Sequence, residues 1–477
     1  MRVCLICEGS YPYVPGGVSS WVQMMCTQFP DIEFVIWAIA TSREEMSEYA
    51  YVIPENVKEI RTVYLGDTSF KKSGHNVRLN KEEKATLRQL VSDSDDMIDW
   101  VGVLKLAKRH HKHMSDLLMS KSFYEICKEE YQRQGSKKIF LQFLWNFRGV
   151  YFPLMYLLSQ SIPDADIYHS VSAGYAGILG SCASYTKKAP FLLSEHGIYT
   201  REREEDIIRS NWVAGEFKEL WIDFFKKLSY IAYQQAQVVT TLFGTNRSLQ
   251  IELKCPPEKI TIIPNGVNAE DFEACRTEAH NGPLTIGAVL RVVPIKDVKT
   301  MLLAFDIVKR EVPDVRLEIM GNIAEDPTYY QECLDLLDEL GTKDVEFLGQ
   351  VNIKEHLPKI DLLLLSSISE GQPLAMLEGM AAEKPFVATN VGDCKALLEG
   401  EREDDDFGPA GIVVPIMNSE AMAKAILRLI RSPKLRKTMG EAGRQRVEAF
   451  YSREGMLEAF RMIYRYLEED PHGGNRI

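Results

Sequence analysis

Four short stretches carry residue types that could act on a phosphorylated sugar. Arg291 and Lys296 follow an apolar run, Leu284 to Leu290. A guanidinium fork and an ammonium point charge at that spacing can hold one diphosphate. Such cations act most strongly where charge grows as a phosphate departs; a solvated surface pair has the same composition. Glu370 and Glu378 stand in SISEGQPLAMLEGMAAEKPFVATNVG. Glu370 closes a loop, and Glu378 lies about a turn and a half into a helix expected to begin at Pro373. In that frame Gly371 and Gln372 expose backbone N–H groups at a helix start, and Pro373 and Leu374 continue the candidate donor-binding loop. Glu370 then suits sugar hydroxyls and Glu378 a ribose. A plain helix glutamate at 378 and a helix-dipole partner at 370 fit the spacing equally.

His196 lies in LLSEHGIYTRERE, directly after an apolar run and beside Gly197. A histidine at a strand end can meet a substrate, although a lone histidine is commonly structural or solvated. Arg201 and Arg203 follow on a charged segment that either lines an acceptor or pairs with Glu202, Glu204 and Glu205. His169, near another strand end, is a second acceptor-side candidate. Gly16 and Gly17 open the first helix, where glycine lets backbone approach a ligand and free N–H groups favour an anion.

Other signatures are missing. No G-x-G-x-x-G follows the first strand and no acidic residue closes the second (Ala38, Ile39, Ala40), which disfavours a dinucleotide oxidoreductase. No G-x-S-x-G elbow or Walker loop supports acyl transfer or a nucleotide-driven motor. Three D-x-D triplets, Asp93-Ser94-Asp95, Asp164-Ala165-Asp166 and Asp404-Asp405-Asp406, resemble metal-holding triplets of another transferase architecture. None follows a strand at its carboxyl end, so neither metal nor cofactor is expected.

The 477 residues fit two or three domains. A net charge of −12 argues against nucleic acid as a partner, and an anionic ligand then needs a local cluster of cations. No segment reaches the ~18–20 apolar residues of a membrane span. The apolar run before Glu8 is too short for a signal peptide, and a cytoplasmic chain is expected. Nine scattered cysteines form no disulfide framework; Cys4 and Cys7, within one apolar strand, read as core residues.

Period and punctuation place strands at Arg2 to Cys7, Glu33 to Ala40, Lys58 to Leu65, Asp166 to His169, Phe191 to Glu195, Val238 to Leu242 and Ile260 to Pro264. A helical insertion over about 67–160 interrupts them; its basic run Lys108 to His113 reads as a solvated helix face, with an acidic partner or membrane surface as the alternative. In the second half, strands at Leu284 to Leu290, Val315 to Met320, Val345 to Leu348, Asp361 to Ser366, Pro385 to Thr389 and Ile412 to Val414 alternate with helices. Several are apolar throughout, as parallel strands buried on both faces are. The expected architecture is α/β, with two Rossmann-like doubly wound domains facing a cleft and ligands beyond the strands' carboxyl ends. The expected boundaries are 1–265 and 266–451, with a terminal helix over 452–477. Pro264-Asn265-Gly266 reads as a hinge, Asn-Gly tolerating the positive φ of a tight reversal.

In order and spacing, Gly16-Gly17, His196-Gly197, Ile263-Pro264-Asn265-Gly266-Val267, Arg291 with Lys296, and Glu370 with Glu378 ahead of Lys384-Pro385 resemble family 4 of the retaining glycosyltransferases, which have the GT-B fold. The resemblance spans nearly the whole chain. It implies that Glu370 contacts the donor sugar, Glu378 the ribose, Arg291 and Lys296 the diphosphate, and His196 the sugar near the transferred carbon. It also implies that 1–265 is the acceptor-side domain, 266–451 the nucleotide-sugar domain, and that the last helix, over 452–477, packs back on the first. The segments EGSYPYVPGGVSSW, SEHGIYTRERE and SISEGQPLAMLEGMAAEKP, with the insertion, are similar to the PelF group of Pel exopolysaccharide glycosyltransferases. That similarity implies a UDP-sugar donor, a growing hexose or N-acetylhexosamine polymer as acceptor, and docking to inner-membrane synthase and export partners. Three positions depart from the family pattern: Gly379 for alanine, Glu383 for glycine, and Asn268 for aspartate. A catalytically idle nucleotide-sugar scaffold and a GT-B sugar-nucleotide epimerase are the rival expectations.

Overall fold

The computed structural model describes residues 1–44, 48–67, 74–92, 99–134, 139–210, 213–276 and 283–470. Two compact units emerge, Met1–Ile262 together with the C-terminal segment from Phe460, and Ile263–Ala459.

The first unit is built on seven parallel strands: β1 (Arg2–Glu8), β2 (Glu33–Ala40), β3 (Val57–Tyr64), β4 (Ile167–Ser170), β5 (Phe191–Glu195), β6 (Val238–Thr241) and β7 (Ile260–Ile262). Their order is β3-β2-β1-β4-β5-β6-β7, so the chain reverses its winding between β1 and β4. Helix α1 (Gly17–Gln28) connects β1 to β2. Between β3 and β4 run the insertion helices α2 (Lys81–Val91), α3 (Trp100–His110), α4 (Met114–Leu118), α5 (Lys121–Arg133) and α6 (Phe140–Leu158). Their apolar faces share one core with Cys4, Ile6, Val35 and Trp37 of the sheet, so the insertion is part of this unit's interior. The basic run is tied into the insertion through Arg109 and His110 on Glu83, and His113 on Asp116. Helices α7 (Tyr175–Lys187), α8 (Tyr199–Arg209), α9 (Lys218–Gln235) and α10 (Gly244–Glu252) complete the layers.

The second unit has six parallel strands, β8 (Thr285–Val289), β9 (Arg316–Met320), β10 (Val345–Gly349), β11 (Leu362–Leu365), β12 (Phe386–Thr389) and β13 (Gly411–Val414), in the order β10-β9-β8-β11-β12-β13. Its winding reverses between β8 and β11. Helices α11 (Val298–Glu311), α12 (Pro327–Leu340), α13 (Ile353–His356), α14 (Leu374–Ala381), α15 (Cys394–Glu399), α16 (Ser419–Ile430) and α17 (Pro433–Phe450) flank the sheet. Each unit is thus a doubly wound, Rossmann-like sheet.

Helix α18 (Arg453–Glu469) ends the described chain. Its residues Phe460, Ile463, Tyr464 and Leu467 are buried at helical spacing. Phe460 packs on Trp21, and Tyr464 donates or accepts a 2.7 Å bond with His169. Among the described residues no helix is long and apolar enough to cross a membrane. All nine cysteines are free and buried, and burial holds the Cys4 and Cys7 thiols well above their ordinary range.

Two local expectations need correction. Neither Asn265 nor Gly266 has a positive φ, so the segment is not a tight reversal of that kind. Glycine is needed at 266 for space: a Cβ would lie 2.5 Å from the Ser452 carbonyl oxygen and 2.7 Å from the Arg453 Cα. Pro373 is the extended residue before α14, at φ −73° and ψ 117°, and the helix begins one residue later at Leu374.

Candidate functional site

In open parallel sheets, ligands bind beyond the carboxyl ends of the strands where the winding reverses. In the second unit that place lies between β8 and β11, and the loops leaving these strands are laced together. Ile368 N–H donates to the Ile295 carbonyl at 2.9 Å, and Ser366 Oγ donates to the Lys296 carbonyl at 2.7 Å. Lys296 Nζ meets Glu370 Oε1 at 2.5 Å, and Ser367 Oγ donates to the same oxygen at 2.5 Å. This pair is largely withdrawn from water, with side chains 15% and 10% exposed. The structure thus brings together two of the groups singled out by sequence. Arg291, more exposed, turns instead to Glu325 in the loop after β9. Both cations thus lie in the segment that follows β8, Arg291 paired with Glu325 and Lys296 with Glu370.

Glu370 to Pro373 is held from below. Gln372 accepts from the Asn265 N–H at 2.6 Å and donates through Nε2 to Asp393 Oδ2 at 2.6 Å. The Gln372 side chain is therefore committed to the scaffold, so only its backbone could face a ligand. Burial pushes the Asp393 carboxyl up to about 7. Gly392, at φ +52°, lets the chain pass under the loop, since a Cβ there would fall 2.3 Å from the carbonyl oxygens of Glu370 and Gly371. Helical bonding in α14 begins with Met376 and Leu377 donating to Pro373, leaving the N–H groups of Leu374 and Ala375 at the open first turn. Glu378 lies inside α14, its carboxyl raised by burial against the lowering influence of Lys354 and Arg453. Gly379 is required by packing, because a Cβ would meet Leu363 Cδ1 at 2.4 Å. Glu383 occupies a left-handed conformation, φ +57°, just past α14 where glycine is usual.

In the first unit the winding reverses at β1 and β4. Glu8 closes β1 and accepts from the Tyr199 hydroxyl at 2.7 Å and the Ala176 N–H at 3.2 Å. His196 follows β5, its ring edge-on to Trp21 at 4.7 Å between centroids. Burial lowers its imidazole to about 4, keeping it neutral, and Nε2 is buried with no partner among the described residues. Gly16 and Gly17 are exposed, and a Cβ on either would meet nothing within 4 Å. Arg203 stands over the Tyr199 ring at 5.2 Å and pairs with Asp206, while Arg201 is exposed. His169 belongs to the core instead of an acceptor site. It has no exposed surface, and its nitrogens are taken by Tyr464 and Ser194, each at 2.7 Å.

The acidic triplets have structural duties where described. Asp164 pairs with Lys187, Asp166 accepts from the Arg2 N–H, Asp404 pairs with Arg402, and Asp405 with the buried Arg446. Asp93-Ser94-Asp95 lies outside the described residues. Sequence reasoning passed over Ser367, Glu325, Asp393, Glu8 and Trp21. Glu8 and Asp393 also end or follow strands at the carboxyl edge, a signal available in advance; the partners of Ser367 and Glu325 are visible only in three dimensions.

Residues 1–258 match the family described as Domain of unknown function (DUF3492), and residues 271–446 match Glycosyl transferases group 1. An uncharacterized glycosyltransferase of Methanocaldococcus jannaschii is 25% identical over 370 residues, covering 76% of this chain and 94% of that protein. A capsular polysaccharide biosynthesis glycosyltransferase, CapM of Staphylococcus aureus, is 24% identical over 324 residues, covering 62% and 76%. The crystal structure of HepE from Anabaena in complex with UDP matches with a TM-score of 0.61 at 14% identity, covering 98% of this chain and 100% of that one, a likeness of fold. With its two doubly wound sheets of the GT-B type, the chain belongs to the group 1 glycosyltransferases that carry the DUF3492 domain in their first half.

Proposed function

We propose that this glycosyltransferase moves a sugar from a UDP-linked donor to a growing exopolysaccharide of the Pel type, with retention at the anomeric carbon and without a metal ion. The observation that carries the reading is the contact of Lys296 with Glu370 where β8 and β11 diverge. Lys296 is read as the cation for a diphosphate and Glu370 beside it as the carboxylate for sugar hydroxyls. In this reading Arg291 leaves Glu325 for the diphosphate, Glu378 serves the ribose, and His196, held neutral, meets the sugar near the transferred carbon. No protein nucleophile is invoked: the departing β-phosphate oxygen takes the proton of the acceptor hydroxyl as the new glycosidic bond forms on the same face. Arg291 and Lys296 stabilise the charge that develops on that phosphate. The UDP bound by HepE and the polysaccharide role named for CapM support the donor and acceptor classes. The PelF-like segments support the Pel-type polymer and docking to inner-membrane partners.

The test is UDP release from UDP-sugars in the presence of oligosaccharide acceptors, with and without EDTA. Arg291→Ala and Lys296→Ala are each expected to lower turnover ~10²–10³-fold, as loss of a preorganised charge stabiliser does, and EDTA to leave it unchanged. Normal turnover in both folded variants contradicts the mechanism; UDP-sugar binding without any UDP release points to an idle scaffold.

A further inference from the structure

His196 has an unusual support for a group at a strand end. Its Nε2 finds no partner among the described residues, so no hydrogen bond at that atom fixes the ring. Its orientation rests on the edge contact with Trp21 and on the backbone that carries it. That backbone is anchored three residues on, at Tyr199. The Tyr199 N–H donates to Glu195 Oε1 at 3.4 Å, and its hydroxyl donates to Glu8 Oε1 at 2.7 Å. The ring between these anchors is buried, 5% exposed, and packs on Phe225. Gly174 makes room for it, since a Cβ at 174 would stand 2.0 Å from Tyr199 Cζ.

Glu195 is itself fixed from two further helices, by the Tyr233 hydroxyl at 2.6 Å and Gln250 Nε2 at 2.8 Å. The short segment from 196 to 199 is therefore strung between a rigid strand end and Glu8. The Tyr199–Glu8 bond crosses from the first residue of α8 to the end of β1, spanning the reversal at which a ligand would lie. A bond from a neutral hydroxyl to a carboxylate is among the stronger hydrogen bonds. It is the tie that an isosteric change can remove without disturbing the packing.

We propose that Tyr199 is a positioning residue for His196: its hydroxyl, held by Glu8, fixes the 196–199 segment and thereby the direction of the imidazole. The inference rests on the reading that His196 meets the transferred sugar. Tyr199→Phe keeps the ring in its Gly174 niche and deletes only the hydroxyl. The experiment compares the full chain, Tyr199→Phe, His196→Ala and the double variant. Turnover is read as UDP released from UDP-glucose or UDP-N-acetylglucosamine, whichever the unmodified chain uses. The His196 imidazole resonance, identified by its loss in His196→Ala, is followed against pH.

Tyr199→Phe is expected to lower kcat about tenfold with donor KM unchanged, the scale of one lost charge-assisted hydrogen bond. In the His196→Ala background the same change is expected to cost less than about twofold, since contacts acting through one group are not additive. The His196 titration midpoint is expected to rise from its buried value toward that of a free imidazole. An unchanged resonance and midpoint in Tyr199→Phe, or an equal loss of kcat in both backgrounds, overturns the positioning role. Full activity of His196→Ala overturns instead the underlying assignment of His196.

Discussion

At the scale of single residues, the loop after β11 is governed by buried charge. Lys296 and Glu370 neutralise each other in a setting with little water, and Ser367 completes the coordination of Glu370. Removing one partner from such a pair strands the other, so single truncations there mix stability with function. Asp393 is a different case, because burial is the main influence on its carboxyl and pushes it up to about 7. The unfolded carboxyl titrates near 3.9. Between these values the native chain holds a proton that the unfolded chain has lost. Its contribution is complete below about pH 4 and vanishes as pH rises through 7. In Asp393→Asn the side-chain carbonyl still accepts from Gln372, and nothing is left to ionise. Between pH 5 and pH 8 the unmodified protein should lose on the order of 2 kcal/mol more stability than Asp393→Asn. Urea unfolding at the two pH values measures this, and parallel losses in both proteins would show that the carboxyl is not buried as described.

At the scale of elements, the candidate loop over 370–373 is shaped by what passes beside it. Gly392 carries the chain under Glu370 and Gly371 with a positive φ and no room for a methyl group. Gly392→Ala must push the donor loop away or strain its own backbone, at a cost of roughly 2–4 kcal/mol. UDP binding should fall with it, measured by calorimetry beside a denaturant titration; a variant that keeps both would mean the loop does not rest on this crossing. Such support is hard to read from sequence. The strands were legible because burial on both faces makes them apolar throughout, as in Leu362–Leu365. The placement of Arg291, Lys296, Glu370 and His196 at strand ends was legible for the same reason. The scaffold role of the Gln372 side chain was not legible, because its partners Asn265 and Asp393 are brought to it only by the fold. His169 looks available at a strand end, and only the buried face of α18 reveals why it is closed. At 266, the glycine answers to the backbone of residues 452 and 453, a long-range crowding that Asn-Gly turn chemistry does not anticipate.

At the scale of the molecule, each of the two doubly wound units has one reversal point, β1 with β4 in the first and β8 with β11 in the second. The unit containing β8 and β11 holds the cations and carboxylates suited to a nucleoside diphosphate sugar, and its donor site should respond to UDP alone. The most direct test is calorimetric titration of UDP into the unmodified protein, Glu370→Gln, and the double variant Lys296→Met with Glu370→Gln, which leaves no stranded charge. Glu370→Gln frees Lys296 and should bind UDP at least as tightly as the unmodified chain, while the double variant should bind at least about tenfold more weakly, the scale of a lost charge-assisted contact. UDP affinity in the folded double variant equal to that of the unmodified protein would contradict the assignment of this site to the donor diphosphate.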